Sequence, residues 1–250
     1  MKLILMFSLL LTVFLSSFSA NAFDINELSV NERDMLRTEI RSYLLENPEV
    51  LTEAIAVLKD REKNSANMSE AQLVQSHYDA IVNDATSWEG GNPEGDIILV
   101  EFIDYRCGYC RKAHSEVKEL VRSDGNIRYI IKEYPILGPK SELASRFSIA
   151  TRLVAGDDAY ETMYNGLFVY KGAITSASLM GLANNLGLDG AAISALLNDP
   201  KIDQIMGRSV GLGQKLGING TPTFIMNGQM LRGYVPLEKM RALAKSLRKG

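Results

Sequence analysis

Cysteine is scarce in this chain: of 250 residues only Cys107 and Cys110 are cysteines. A bridge between two residues so close in sequence would constrain the unfolded chain very little, so a structural disulfide framework is excluded. A lone pair at this spacing suits a bond that opens and closes, which makes a thiol–disulfide redox site the first expectation. Histidine is equally sparse, with His77 and His114 alone. Cys107, Cys110 and His114 fall one ligand short of a closed zinc site, and His77 lies beyond a candidate domain border, so no metal is expected. His114, one turn after Cys110, reads instead as an exposed or satisfied helix residue. Lys and Arg number 27 against 30 Asp and Glu, for a formal charge of -3. No basic stripe with interleaved aromatics appears, which argues against nucleic acid as a partner. Gly211-Leu212-Gly213 lacks the third glycine of a dinucleotide loop, and no cofactor is expected. After Phe23 no apolar run is long enough for a membrane helix.

What is present begins with a leader. Lys2 precedes an apolar run from Leu3 to Leu15, and small residues follow to Ala20-Asn21-Ala22, the pattern of a cleaved secretory signal over residues 1–22. An exported, soluble mature chain is expected, and removing Lys2 makes it one charge more negative.

Residues 23–88 are polar, helical in period and almost free of glycine. Ser29-Val30-Asn31-Glu32 fits a capping box, and Met35, Leu36, Ile40, Tyr43 and Leu44 share one helical face. Asn47-Pro48 ends that helix, since the residue before proline avoids the α region. A second helix carries Val50, Leu51, Ile55 and Leu58, the polar stretch Asp60 to Ser69 is expected to break it, and a third runs from Ser69 towards Ile81. Trp88 to Asp96, rich in glycine, reads as a loop and a border. Beyond it the pattern runs strand (Ile97 to Ile103), helix (Gly108 to Arg122) and strand (Ile127 to Tyr134), which implies a parallel pair with a right-handed crossover. Helical patterning fills about 138–216. Two strands, Thr223 to Met226 and Met230 to Tyr234, then meet at an Asn227-Gly228 turn, and a last helix spans Pro236 to Leu247.

Thiolates, not thiols, attack disulfides, and a free cysteine of pKa about 8.5 is only about 3% ionised at pH 7. Cys107 stands where a helix begins, so unpaired N–H groups and the helix dipole favour its anion, with Arg106 and Arg111 placed to help. A low pKa stabilises the reduced form and improves Cys107 as a leaving group more than as a nucleophile. The second constellation is Gly220-Thr221-Pro222-Thr223-Phe224, a proline at the entry of a late strand.

The strand followed by Cys107-Gly108-Tyr109-Cys110 and a helix, the Gly220 to Phe224 segment, Glu133-Tyr134-Pro135-Ile136-Leu137 and Gly166-Leu167-Phe168 together resemble the DsbA-like branch of the thioredoxin superfamily from about Asp96 onward. The resemblance implies an α/β thioredoxin-like fold over residues 89–250 with an inserted helical subdomain, preceded by an N-terminal helical segment. It implies that Cys107 is the nucleophile, Cys110 the resolving thiol, Thr221-Pro222 a cis peptide offering backbone hydrogen bonds to a substrate strand, and Glu101 a buried acid that aids proton transfer. Gly108-Tyr109 and Thr221 resemble isomerases of the DsbC type more than oxidases, and Tyr43 to Val50 is similar to ScsC-like proteins, some of them oligomeric. The expected function is a periplasmic disulfide isomerase acting on exported cysteine-containing proteins. It would be served by a membrane redox partner and assemble as a trimer or dimer through residues 23–88. A monomeric dithiol oxidase and a chaperone or binding module are the rival readings.

Overall fold

The computed structural model describes residues 28–249, and the leader reading of residues 1–22 and the start of the segment after it lie outside the described residues. The chain divides into two compact units, Met1–Glu62 and Lys63–Gly250.

In the first unit, α1 (Val30–Glu46) starts at the expected capping box, in which Ser29 Oγ accepts from the Glu32 amide and the Glu32 carboxylate accepts from the Ser29 amide. It ends at Asn47, whose amide donates to the Tyr43 carbonyl just ahead of Pro48. No residue of α1 is buried, and Met35, Ile40 and Tyr43 are exposed, as are Leu51, Ile55 and Leu58 at the start of α2 (Glu49–Ser76). The break expected from Asp60 to Ser69 does not occur, because α2 is continuous through it. The stretch is polar but contains neither glycine nor proline, and its Arg, Glu, Lys and Ala are good helix formers. Polarity alone does not stop a helix.

The second unit is built on a five-stranded sheet in the order β1-β3-β2-β4-β5, comprising β1 (Trp88–Gly91), β2 (Ile97–Ile103), β3 (Ile127–Glu133), β4 (Thr223–Met226) and β5 (Gln229–Arg232). The central pair β2 and β3 is parallel, in register from Ile97↔Ile127 to Ile103↔Glu133, and α4 (Gly108–Asp124) makes the crossover between them. Both strands are buried on both faces, which explains the nearly unbroken apolar sequence of β2, while β3 buries Lys132 and Glu133 among its apolar residues. The other pairings are antiparallel. Asn227 (φ 43°) and Gly228 (φ 87°) form the tight β4–β5 turn, as the sequence predicts.

Trp88 to Gly91, read from sequence as loop, is instead an edge strand paired with β3. Its glycines are required there: Gly91 has φ +71°, and a Cβ would lie 2.3 Å from the Ile127 carbonyl oxygen. The border expected at Trp88 falls earlier as well. Val74 at the end of α2 and Ile81 and Val82 of α3 (Tyr78–Val82) are buried with Val100, Phe102 and Ile130, in the core of the second unit.

The expected helical insertion consists of α5 (Pro139–Ala155), α6 (Asp157–Val169), α7 (Ser176–Asn185), α8 (Gly190–Ala195) and α9 (Pro200–Lys215). With α4 it packs on one face of the sheet, where Phe147, Tyr160, Met163 and Leu167 join Leu99, Ile103 and Val117 in one core, and the C-terminal half of α9 reaches the other face, where Leu212 is buried with Val100 and Phe102. α10 (Leu237–Leu247) closes the chain, and Arg248 beyond it bridges Asp96 and Asp124 at 2.8 and 2.6 Å.

Candidate active site

β2 delivers the chain to a tight turn, and an aspartate that the sequence reading passed over shapes it. Asp104 is fully buried, accepting from the Arg106 amide at 2.8 Å and the Leu137 amide at 2.9 Å, while its own carbonyl accepts from the Cys107 amide. An acid three residues before the helix N-cap, placed to accept from the amide two residues on, is the Asx-turn signal that could have identified it. Cys107 is thereby set at the N-cap of α4, in extended backbone, with its Sγ accepting from the Cys110 amide at 3.4 Å.

The two sulfurs, free thiols here, occupy opposite environments. Cys107 keeps 8% of its surface in solvent and Cys110 none. The Cys110 thiol hydrogen bond holds the Cys107 pKa down at about 5; burial opposes this, and the Thr221 side chain and the amides of Cys110 and Tyr109 add to it. At pH 7 Cys107 is then mainly thiolate. Giving that hydrogen bond pushes Cys110 far up, as do burial and the nearby charge of Glu101. Neither Arg106 nor Arg111 takes the expected part in stabilising the thiolate. The Arg106 guanidinium donates to the Leu137 carbonyl, and that of Arg111 to the carbonyls of Leu167, Phe168 and Tyr170, so backbone oxygens have captured both cations.

The Thr221-Pro222 bond is cis, and the Thr221 carbonyl oxygen lies 3.0 Å from Cys107 Sγ, accepting from it when it is a thiol, which brings the two sequence constellations together across 114 positions. Tyr109 is 64% exposed and stacks at 6.4 Å on Tyr234, whose ring also lies 4.1 Å beneath Lys112 Nζ. A Cβ at Gly108 would meet nothing within 4 Å, so packing does not demand glycine there.

Glu101 sits in the middle of β2, paired with Ile131 on one side and Phe224 on the other, and is 1% exposed. Burial lifts its pKa to about 8, against the hydrogen bond that Tyr129 donates to Oε2 and with help from the Cys107 charge. It is not the solvated edge carboxylate that its charge alone would suggest. His114 departs from expectation too: it is 9% exposed, stacked on Phe168 at 4.8 Å and against Tyr164 at 5.0 Å, and its Nδ1 has no hydrogen-bond partner among the described residues. Burial brings its pKa down to about 4. Its aromatic neighbours come from α6, some 50 residues away, where a reading along α4 could not find them.

A low-pKa thiolate at a helix N-terminus beside a buried thiol and a buried neutral acid is equipped for exchange. The first sulfur can attack and leave as an anion, while the second is held protonated until a base takes its proton.

Comparison with known proteins bears on the same chemistry. Residues 82–246 match the thioredoxin family model, and residues 32–64 match that of the copper resistance protein ScsC N-terminal domain. A thioredoxin-like oxidoreductase from Silicibacter pomeroyi DSS-3 is similar at 35% identity and a TM-score of 0.64, covering 69% of this chain and 98% of that one. The thiol-disulfide exchange protein α-DsbA2 from Wolbachia pipientis is 27% identical at a TM-score of 0.68 over 73% of this chain and 98% of its own. ScsC from Proteus mirabilis, in a transitional conformation, is 27% identical at 0.65 over 89% of this chain and 100% of its own. Among curated proteins, the Na(+)/H(+) antiporter NhaA 1 of Salinispora arenicola is 30% identical over 159 residues, and the chain spans only 24% of that relative's length.

Proposed function

The chain belongs to the thioredoxin family, and on that premise we propose that it is a thiol–disulfide oxidoreductase that works in the periplasm as a disulfide isomerase on exported, cysteine-containing proteins. The observation that carries the reading is the split between the sulfurs: Cys107 at an N-cap with a pKa of about 5, Cys110 buried and held as a thiol. The Cys107 thiolate attacks one sulfur of a client disulfide, a mixed disulfide forms, and the other client sulfur leaves as a thiolate. If a second client thiolate then attacks the mixed disulfide, Cys107 departs unchanged and the client's pairing has been shuffled. If Cys110 attacks first, the client leaves reduced and the Cys107–Cys110 disulfide forms. A reductant of the membrane redox partner's kind must then restore the dithiol. Thr221, with its carbonyl at the sulfur, is the residue beside which a client strand would add its own backbone hydrogen bonds. Gly108 leaves the approach to Cys107 open, and Tyr109 offers an exposed aromatic surface to the client.

Isomerase work favours several sites around one client. The exposed Met35, Ile40, Tyr43, Leu51, Ile55 and Leu58, in the stretch similar to the ScsC N-terminal domain, support self-association through residues 23–88 as a trimer or dimer. One observation favours the rival oxidase reading, the low Cys107 pKa itself, because a stabilised thiolate makes the disulfide a stronger oxidant.

Refolding of scrambled ribonuclease tests the proposal, with Cys107→Ala as the blank and a truncated form starting near Ser69 alongside. An isomerase regains ribonuclease activity without added oxidant and loses that ability on truncation. A monomer by light scattering whose truncation changes nothing would hand the case to the oxidase. Trapping the cysteines in cells completes the test, since an isomerase must be found reduced.

A further inference from the structure

Glu101 poses a transport problem. With a pKa of about 8 it rests as a neutral acid at pH 7, so before it can accept the Cys110 proton it must release its own, from a site 1% exposed. Around it, β2 and β4 contribute apolar residues, and α4 contributes Cys107 and Cys110. One polar path leads away. Tyr129, on β3, is hydrogen-bonded to Glu101 Oε2, and its hydroxyl lies 3.0 Å from that of Tyr164 on α6, with either oxygen able to donate. Both tyrosines line a cavity of about 240 Å³ whose other walls include His114, Lys118, Arg122 and Glu161. Lys118, Arg122 and Glu161 are exposed at its rim, so the cavity meets solvent, and it has room for several waters at about 30 Å³ each. None of Cys107, Tyr109 or Thr221 lines it.

We propose that Tyr129 and Tyr164 form a two-hydroxyl proton relay joining Glu101 to this cavity, through which the proton of the resolving step leaves by a route separate from the client's. The proposal rests on the oxidoreductase reading above and adds its proton exit. In each resolving cycle the Glu101 proton passes to Tyr129 Oη, the Tyr129 proton to Tyr164 Oη, and the Tyr164 proton to cavity water. Each hydroxyl gains one proton as it gives one up. The emptied carboxylate then takes the Cys110 proton, and the Cys110 thiolate attacks Cys107 Sγ in the mixed disulfide. The Cys107–client bond breaks, the client sulfur leaves with its electron pair, and the Cys107–Cys110 bond forms. Burial keeps both tyrosine pKa values well above the ordinary one, so neither becomes a resting anion. Tyr129 and Tyr164 act through Glu101 and are positioning residues.

The test is single-turnover resolution of a mixed disulfide between the reduced full chain and a peptide disulfide, followed against pH. Tyr164→Phe keeps the Tyr129–Glu101 bond and cuts the relay, and it is expected to slow resolution on the order of tenfold or more with its pH midpoint unmoved. Tyr129→Phe should slow it as well and move the midpoint upward, because that hydroxyl lowers the Glu101 pKa. Wild-type protein supplies a check that needs no variant: rates in mixtures of light and heavy water should curve with isotope fraction, as when several protons move together. Wild-type rates in Tyr164→Phe at every pH, or a linear isotope dependence reporting one proton in flight, would overturn the relay. Failure of the wild type to form the mixed disulfide at all would overturn the oxidoreductase reading, and the relay with it.

Discussion

Two carboxylates on neighbouring strands are buried alike and solve burial differently. Glu101 on β2 has a single hydroxyl donor, Tyr129, and its pKa rises to about 8. Glu133 at the end of β3 has three, from Tyr105 at 2.7 Å, Tyr160 at 2.6 Å and Ser145 at 2.6 Å, and although burial pushes it up too it stops at about 7. Each donor stabilises the anion and repays part of the desolvation. The difference separates a group left uncomfortable beside the thiols from one locked into a frame. Glu133 ties the turn before Cys107, through Tyr105, to α5 and α6, whereas Glu101 bonds only into the Tyr129–Tyr164 path.

The contrast can be broken most sharply by stability. Glu133→Leu strands the buried hydroxyls of Tyr160 and Ser145, while Tyr105 keeps Ser148, and is expected to cost about 2 kcal/mol or more; Glu101→Leu leaves Tyr129 its Tyr164 partner and should cost about 1 kcal/mol or less. Urea denaturation of the two variants decides it, and equal losses would mean that the donor count is not what distinguishes the sites.

The pH dependence of stability comes next in size. Both acids have folded pKa values above their unfolded ones, so the stability that they contribute is fully present below about 4.5 and is lost as pH rises, through about 7 for Glu133 and about 8 for Glu101. Cys107 works the other way in the reduced protein: its depressed pKa contributes stability above its unfolded value of about 9 that is lost as pH falls through about 5. Reduced wild-type protein should therefore show a flattened profile. Cys107→Ser should fall in stability between about pH 5 and 8, and adding Glu101→Gln should remove the upper part of that fall. Melting temperatures across this range in the two variants would show whether the opposing slopes exist.

The smallest effect refines the comparison. Ser145→Ala removes one donor from Glu133, at a cost of about 1 kcal/mol, and should move its pKa above 7 towards that of Glu101. Infrared titration of the carboxyl stretch reads this directly, and an unmoved or lowered midpoint would detach donor number from pKa.

Much of the scaffold was legible because its signals are local. The Ser29–Glu32 box, the apolar β2 and β3 runs and the Asn227-Gly228 turn each lie within a few residues, and the Cys107 to Cys110 motif marks the α4 start by itself. What escaped the sequence depends on distant partners. Trp88 to Gly91 is a strand only because Trp88 finds Ile131, and Glu133 is comfortable only because Tyr160 arrives from α6. The stretch from Asp60 to Ser69 differs for another reason, since its polarity does not interrupt the helix. At the site, the pairing of Cys107 with Thr221 follows from resemblance alone, and nothing in the spacing of Tyr129 and Tyr164 announces that their hydroxyls meet.

The chain's only tryptophan stands at the junction of these two networks. Trp88 is 7% exposed, donates Nε1–H to the Asp157 carbonyl at 3.0 Å, stacks on Tyr160 at 5.7 Å and Tyr164 at 6.4 Å, and meets the edge of Tyr129 at 6.0 Å. Its indole therefore touches one ring bonded to Glu133 and two that lead to Glu101. The protein thus carries an intrinsic fluorophore placed where a change in the charge of either acid alters the field across the ring, and its emission offers an optical readout of the carboxyl protons with no label attached.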